Sequence, residues 1–244
     1  MSTPPTTLAW IKRFLHTKGI LVDRLSVVTS PDLRLVAMLA NHEVDLVVDV
    51  GANTGGYARS LRSAGFAGRI LSFEPLMSAH GALVAASRMD TNWAVADRMA
   101  LGDRNGVVSI NVAGNSASSS IREMLETHRC AAPESAYVGR EDVDVRRLDD
   151  VRLPFLDSAA RPFLKIDTQG YEAEVLEGAA GILDRVRGVQ LELTLSPLYQ
   201  GQLLWRDLVD RLEVAGFGLW GMVPEFIDPK TGRMLQCDGI FFRT

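Results

Sequence analysis

Cysteine is scarce in this chain of 244 residues: only Cys130 and Cys237 occur, with no CxxC spacing and no histidine cluster nearby. Disulfide frameworks and zinc sites need several such ligands, so the sequence predicts neither. Two unpaired thiols are typical of a reducing cytoplasm. No stretch reaches the ~20 apolar residues that a membrane-spanning helix needs, and the first residues lack the basic start of a signal peptide. We therefore expect a cytoplasmic protein.

A surplus of basic charge is also missing. The 26 lysines and arginines are outnumbered by 30 aspartates and glutamates, which gives a formal net charge of −4. This balance disfavours nucleic-acid binding through bulk charge, although it does not exclude a local basic groove. Apolar residues make up 47% of the chain and charged residues 23%. That composition excludes disorder as the main state and fits one large α/β domain or two small ones.

Residues 1–44 are predicted to form a helical extension. After a seven-residue tail, apolar side chains recur at helical spacing over residues 8–21, with basic side chains beside them. The pattern fits either a basic amphipathic helix that meets a membrane surface or a helix folded across the edge of the domain. The short apolar face and the modest charge favour the second interpretation. A further helix is predicted from Pro31 to about Leu39.

From residue 45 onward, strands alternate with helices. Residues 46–50 form a continuous β-branched run that ends in glycines, which is typical of a strand buried on both faces of a parallel sheet. Further strands are predicted near 69–73, 95–100, 162–167 and 189–195, helices over 57–64, 78–89, 171–187 and 203–215, and an antiparallel hairpin over 217–243. This alternation predicts βαβ crossovers and a doubly wound sheet.

One long segment interrupts the alternation of strands and helices. A turn signal at residues 103–106 leads into an alternating strand at 107–112, and alternation returns at 143–148. The intervening residues, 113–142, begin with a glycine- and serine-rich loop and have no strong period. Such a segment inside a domain is typical of a lid or binding loop. We predict a single domain over residues 45–244 with this segment as its lid.

A glycine-rich turn follows the first strand, and Glu74 ends the next one. Nucleotides bind at this place in α/β sheets. The dinucleotide fingerprint is Gly-x-Gly-x-x-Gly, but Asn53 occupies its second glycine, and Asp49 would repel a pyrophosphate while attracting a cationic ligand. The ligand should therefore carry an adenosine and a positive centre but no pyrophosphate. S-adenosylmethionine fits this description, because its ribose diol can bond Glu74 and its ammonium and sulfonium can lie near Asp49.

Four motifs, in order along the chain, resemble those of the FkbM-type S-adenosylmethionine-dependent methyltransferases. They are Asp-Val-Gly-Ala-Asn-Thr-Gly at 49–55, Phe-Glu-Pro at 73–75, Ala-Leu-Gly-Asp at 100–103 and Leu-Lys-Ile-Asp-Thr-Gln-Gly-Tyr-Glu at 164–172. The resemblance implies the class I methyltransferase fold, a Rossmann-like, doubly wound, mostly parallel seven-stranded sheet with a C-terminal antiparallel hairpin. It also implies O-methylation, commonly of sugar hydroxyls on glycolipids, lipo-oligosaccharides or polyketide-derived compounds.

The cofactor site predicted from these motifs contains Asp49, Gly51, Asn53, Gly55, Glu74, Pro75, Ala100, Leu101, Asp167 and Gln169. Gly51 and Gly55 either let the backbone approach the methionine part of the cofactor or only form a tight turn. Asn53 either bonds the methionine carboxylate or caps the following helix. Residues 99–101 would flank the adenine, though packing alone would also place them there.

Asp167 ends an otherwise apolar strand, where a carboxylate needs a partner. We predict that it contacts the transferring centre or acts as a general base, although Lys165 on the same side could be a structural partner. Shared ligation of a divalent ion with Glu192 is the alternative role for Asp167, but no metal is predicted. A sugar hydroxyl is a poor nucleophile, so a base is useful. His128, in the predicted lid, is the second candidate for this role.

The sequence thus predicts an S-adenosylmethionine-dependent O-methyltransferase that acts on a hydroxyl of a sugar, a glycolipid or a related secondary metabolite. Leu198, Tyr199 and Trp205 are candidates for an acceptor groove, but packing explains the two aromatic side chains equally well. An NAD-dependent oxidoreductase and a non-catalytic cofactor-binding subunit stay open as alternatives. Peripheral membrane contact and a homodimer also stay open, and no nucleic-acid partner is predicted.

Overall fold

The structure is a computed structural model that describes residues 7–20 and 22–244; the predictions for residues 1–6 and Leu21 lie outside the described residues. Its helices are α1 (Thr7–Thr17), α2 (Pro31–Asn41), α3 (Gly56–Ser63), α4 (Met77–Ser87), α5 (Glu126–Ala131), α6 (Pro154–Asp157), α7 (Glu172–Gly178) and α8 (Trp205–Val214). Its strands are β1 (Leu46–Val50), β2 (Arg69–Phe73), β3 (Trp93–Val95), β4 (Ala100–Leu101), β5 (Gly106–Ala113), β6 (Tyr137–Arg146), β7 (Pro162–Ile166), β8 (Gly188–Thr194), β9 (Phe217–Ile227) and β10 (Met234–Arg243).

Seven strands form the main sheet, in the order β3-β2-β1-β7-β8-β10-β9. The strands from β3 to β8 pair in parallel, and β10 pairs antiparallel with both β8 and β9. The chain builds outward from β1 to β3 and then returns to β7 on the other side of β1. A crevice therefore opens at the carboxyl ends of β1 and β7. This topology confirms the predicted class I methyltransferase fold.

The two faces of this sheet bury separate apolar cores, and β1 contributes to both. Val48 and Val50 belong to a core shared with α7 and α8, whereas Val47 belongs to a core shared with α2 and α3. Every residue of β1 is buried. A strand covered on both faces explains why this part of the sequence is a continuous apolar run with one carboxylate, Asp49, on the α3 side.

The predicted N-terminal extension divides into two parts with different environments. Helix α2 packs on the domain through Leu35 and Leu39, and it begins where the Ser30 side chain accepts a hydrogen bond from the Leu33 amide. None of the described side chains of α1 is buried. The described part of α1 thus shows no buried contact that would fix it across the domain edge. No helix in the described ranges is long and apolar enough to span a membrane.

The interruption in the α/β alternation forms a second, three-stranded sheet in the order β4-β6-β5. Strands β5 and β6 pair antiparallel, and between them lie a 3₁₀ turn at Ser116–Ser118 and helix α5. The segment predicted as a lid thus contains much of β6. A bridge between Met124 and Tyr199 ties it to the main domain.

Two predicted elements are shorter in the structure. The helix predicted over 171–187 ends at Gly178, where a Cβ would lie 1.8 Å from the carbonyl oxygen of Gly102. This close approach of two backbones requires a glycine, which also weakens the helix. The strand predicted near 95–100 is divided between β3 and β4, which belong to different sheets.

Candidate active site

A pocket lies beyond the carboxyl ends of β1, β2 and β7, where ligands bind in open α/β sheets. Most of its wall comes from three strand ends, the start of β4 and the segment 116–121. Its lining residues are Val50, Gly51, Asn53, Phe73, Glu74, Pro75, Leu76, Met99, Ala100, Leu101, Ile110, Ser116, Ala117, Ser119, Ser120, Ile121, Asp167, Thr168 and Gln169. The structure thus brings together eight of the ten predicted cofactor residues, all except Asp49 and Gly55.

The turn after β1 forms one wall of the pocket. The amides of Gly51 and Ala52 donate hydrogen bonds to the carbonyl oxygen of Phe73, at 3.1 and 3.0 Å, which fixes the turn against β2. Gly55, by contrast, lies outside the wall: it precedes α3 with a φ of +84°, and a Cβ there would lie 2.7 Å from the ring of Trp93. Packing against Trp93 accounts for a glycine at this position, and Gly55 is not among the residues that line the pocket.

Glu74 is almost fully buried at the end of β2, and backbone amides hold its carboxylate in place. Oε2 accepts from the amide of Asn53 at 2.7 Å and Oε1 from that of Leu76 at 2.9 Å. Burial raises the pKa of Glu74, and the two amide donors oppose this shift. Each carboxylate oxygen keeps a further acceptor position. A fixed carboxylate at the pocket wall fits the two adjacent hydroxyls of a ribose.

Asn53 joins the turn to the segment predicted as a lid. Its Oδ1 accepts a hydrogen bond from the hydroxyl of Ser116 at 2.9 Å, and its backbone has a left-handed φ of +47°. The helix cap position belongs to Gly55, so the capping role considered for Asn53 is wrong. Further round the wall, Met99, Ala100 and Leu101 provide an apolar surface that suits a flat purine ring.

Asp49 lies beneath the pocket and is fully buried. Its Oδ1 is 3.2 Å from Nζ of Lys165, and its Oδ2 accepts from the Ser72 hydroxyl at 3.4 Å. Burial lowers the pKa of Lys165, but the carboxylates of Asp49 and Asp167 outweigh burial, so the net shift is upward and the ammonium is retained. The lysine therefore neutralises Asp49. The sequence predicts that Asp49 contacts the cationic ligand directly, whereas in the structure its cationic partner is Lys165.

Asp167 reaches the pocket from the end of β7, and its side chain is 38% exposed. Lys165 Nζ lies 3.4 Å from its Oδ2, and Gln169 Nε2 donates to its Oδ1 at 2.9 Å. Gln169 also donates to Glu192 at 3.0 Å and accepts from the Tyr199 hydroxyl at 2.8 Å. Gln169 thus links the two carboxylates to the buried Tyr199.

A row of three carboxylates, Asp167, Glu192 and Asp238, extends from the pocket across β7, β8 and β10. Glu192 and Asp238 are cross-strand partners, so they share one face of the sheet. Burial, then the negative charge of Asp167, raises the pKa of Asp238 to about 7 and that of Glu192 well above its ordinary value. Within the described ranges, no group of three or more His, Cys, Asp or Glu side chains has an arrangement that could hold a metal ion.

Sequence reasoning missed Asp238 because its position depends on the register of a hairpin far along the chain. Asp238 Oδ2 accepts from Gln190 Nε2 at 2.6 Å, and Gln190 Oε1 accepts from the hydroxyl of Tyr57 at 2.8 Å. The signal that could have revealed it is a carboxylate inside an otherwise apolar strand, the same signal that singled out Asp167.

His128 lies in α5, away from the pocket wall, and it is 3% exposed. Its ring packs edge-on against Tyr199 with 5.2 Å between the centroids, and its Nδ1 has no hydrogen-bond partner in the described part of the chain. Burial lowers its pKa to about 4. This placement argues against His128 as the base that receives a proton from an acceptor.

The predicted acceptor groove does not form. Leu198 and Tyr199 are completely buried, in a cluster with Met124 and Leu235. Trp205 packs against the larger core. Packing, the alternative considered for the two aromatic side chains, accounts for both.

The part of the chain that resembles known proteins contains the motifs that form this pocket. A family model described as the methyltransferase FkbM domain matches residues 49–219, which include the turn after β1, Glu74 and Asp167. The 2-O-methyltransferase NoeI of Sinorhizobium fredii (strain NBRC 101917 / NGR234) is 28% identical over 195 residues, which cover 73% of this chain and 75% of that protein.

Solved structures of methyltransferases resemble the fold more distantly. The magnesium protoporphyrin IX methyltransferase of Synechocystis PCC 6803, solved with its bound methyl donor, has a TM-score of 0.48 at 10% identity, with 100% of this chain and 87% of that chain covered. Precorrin-6y C5,15-methyltransferase of Geobacter metallireducens GS-15 has a TM-score of 0.43 at 13% identity, with 91% and 94% covered. On the match of the family model, the chain belongs to the FkbM family of methyltransferases, and S-adenosylmethionine is its methyl donor.

Proposed function

We propose that this methyltransferase methylates a hydroxyl oxygen of a sugar, a glycolipid or a related secondary metabolite. The observation that carries this proposal is the row of Asp167, Glu192 and Asp238 beside the pocket. Carboxylates accept hydrogen bonds from hydroxyl groups and can orient several of them at once. The relative NoeI is a 2-O-methyltransferase, which supports oxygen as the acceptor atom.

The pocket residues suit the parts of S-adenosylmethionine one by one. Glu74 would bind the ribose hydroxyls and Met99–Leu101 the adenine. The backbone at Gly51 and the side chain of Asn53 would lie against the methionine part. When bound, the cofactor supplies a methyl group on a positively charged sulfur, which is the electrophile of the reaction.

Transfer of this methyl group to an acceptor hydroxyl would leave the sulfur as a neutral thioether, and the acceptor alcohol would have to lose its proton. We assign that proton to the carboxylate of Asp167, which lies in the pocket wall and is partly exposed. Lys165 and Gln169 hold the carboxylate in one orientation. A positioned base of this kind contributes about 10²–10⁴-fold, and alignment of the two reactants contributes the rest.

Glu192 and Asp238 would bind the neighbouring hydroxyls of the acceptor. Because the pKa of Asp238 is raised to about 7, its carboxyl group can either donate or accept a hydrogen bond near neutral pH. This mixture suits a polyol better than an anionic acceptor, because an anion would be repelled by Asp167. The match to a methyltransferase family, together with Asn53 in the turn, disfavours the NAD-dependent oxidoreductase.

The test measures transfer of a labelled methyl group from S-adenosylmethionine to deoxysugar glycosides, extracted glycolipids and a set of amines. We expect methylation of hydroxyl acceptors only. Asp167→Asn should keep its affinity for S-adenosylhomocysteine and lose about 10²–10⁴-fold in kcat. Asp157→Asn, at the exposed end of α6, is the matched control and should behave like the wild type. Unchanged kcat in Asp167→Asn contradicts the base assignment, and cofactor binding without transfer to any hydroxyl favours the non-catalytic subunit.

A further inference from the structure

Helix α1 presents an apolar face to solvent. Trp10, Ile11 and Phe14 share one side of the helix and are 64%, 41% and 50% exposed. The rings of Trp10 and Phe14 stack, with 5.7 Å between their centroids. Exposed side chains of this size on one helix face mark an interaction surface.

Basic side chains surround this apolar face. Residues 1–30 contain four basic residues, Lys12, Arg13, Lys18 and Arg24, and one acidic residue, Asp23. The rest of the chain is acidic, with 22 basic and 29 acidic residues. The positive charge is therefore concentrated around α1, none of whose described side chains is buried.

The apolar surface continues into the link between α1 and α2. Leu25 and Val28 are 74% and 82% exposed. Arg34 in α2 fixes this link, because its guanidinium donates to the carbonyl oxygens of Val27 and Val28 at 3.2 and 2.9 Å. The exposed apolar residues are thus attached to the folded domain through α2.

We infer that α1 is an interfacial helix that docks this enzyme on an anionic lipid surface. An apolar face with aromatic side chains, bordered by lysine and arginine, is the pattern of helices that lie in the headgroup region. The basic side chains of Lys12 and Arg13 beside this face complement anionic headgroups. A protein partner, including a second copy of this chain, is the alternative outcome that the test distinguishes.

The inference does not depend on the identity of the acceptor. Helix α1 contributes no residue to the pocket wall, so docking would bring the enzyme to a surface without altering its chemistry. Loss of docking and loss of methyl transfer to a dissolved acceptor are therefore separable results.

The test is flotation of the full-length protein with vesicles of phosphatidylcholine alone or mixed with phosphatidylglycerol. We expect binding to the anionic vesicles, weaker binding at high salt and no binding to the neutral ones. Lys12→Ala/Arg13→Ala should bind about 30-fold more weakly. Trp10→Ala/Phe14→Ala should lose binding even at low salt, because charge alone then has no apolar anchor.

Two matched controls carry the same changes elsewhere on the surface. Met89→Ala/Val214→Ala removes exposed apolar side chains, and Arg88→Ala/Arg206→Ala removes exposed charge; both should bind vesicles like the wild type. Affinity for S-adenosylhomocysteine verifies folding of every variant. The inference is overturned if the wild type does not bind anionic vesicles, or if the Trp10→Ala/Phe14→Ala variant binds them as well as the wild type does. A dimer in sedimentation that this variant dissociates, without vesicle binding, assigns the face to a second copy instead.

Discussion

The carbonyl oxygen of Asp167 lies 1.8 Å from the position that a Cβ on Gly51 would occupy. No side chain fits in that space, so the turn after β1 and the end of β7 are in direct backbone contact. Gly51 also has a φ of +74°, which glycine adopts without strain. This contact brings the turn and the proposed base together in one wall of the pocket.

We predict that Gly51→Ala disrupts cofactor binding. The new methyl group must push the turn away from Asp167 in a backbone conformation that alanine disfavours, so affinity for S-adenosylhomocysteine should fall at least ~10-fold in calorimetric titration. Gly56→Ala is the control, because a Cβ at Gly56 meets nothing within 4 Å. Equal affinity in both variants would show that the contact between Gly51 and Asp167 does not shape the site.

The second prediction concerns the charge of Glu74. Glu74→Gln replaces one carboxylate oxygen with a donor that faces an amide N–H, from either Asn53 or Leu76, and removes the charge offered to the ribose. Affinity for S-adenosylhomocysteine should fall by about 10–100-fold, the range for hydrogen bonds to charged groups. Glu141→Gln is the control, since Glu141 also accepts from a backbone amide, that of Met77, but lies outside the pocket wall. An unchanged affinity in Glu74→Gln would exclude a ribose contact.

The fold was predictable because its local signals agree. A β-branched run at residues 46–50, followed by a glycine turn and a helix, fixes the first βαβ unit, and right-handed crossovers determine the rest. The errors have local physical causes. Helix α7 ends at Gly178 because its backbone meets that of Gly102, a contact between residues 76 positions apart that no periodicity reveals.

The site was predictable only in part, for a similar reason. Glu74, Asp167 and Gln169 lie at strand ends that parallel pairing must bring to one edge of the sheet. The spacing of Lys165 and Asp167 along one strand predicts their pairing, but the contact of Lys165 with Asp49 depends on the register between β1 and β7. Asp238 enters through a hairpin, and no local pattern of the sequence relates it to Asp167.

The third prediction concerns the buried pair of Asp49 and Lys165. Lys165→Met leaves the fully buried Asp49 without its cation, so the free energy of unfolding should fall by about 3–5 kcal/mol. Asp49→Asn should lower the free energy of unfolding by less, because Lys165 still has the carboxylate of Asp167 as its partner. The double variant should be more stable than the sum of the two single changes predicts. Additive effects in denaturant unfolding would contradict a direct coupling between these two side chains.

The fourth prediction concerns acid stability and His128. Burial lowers its folded-state pKa to about 4, against an ordinary value of 6.5. Between these pH values the unfolded chain binds a proton that the folded protein excludes, so the free energy of unfolding contributed by this group falls as the pH falls from 6.5 to 4. When the pH is lowered from 7.5 to 4.5, a variant without the imidazole should therefore lose about 2–3 kcal/mol less free energy of unfolding than the wild type.

His128→Phe and His128→Gln together separate titration from packing. Phenylalanine preserves the contacts with Tyr199 and Phe226, whereas glutamine does not, so the two variants should differ in stability at pH 7.5. Both lack a titrating ring, and both should therefore show the same shallow loss of stability in acid. The groups with raised pKa values, such as Asp238, titrate equally in all three proteins and cancel in the comparison. If the free energy of unfolding of both variants falls with pH as steeply as that of the wild type between pH 7.5 and 4.5, His128 is protonated in the folded protein at its ordinary pKa.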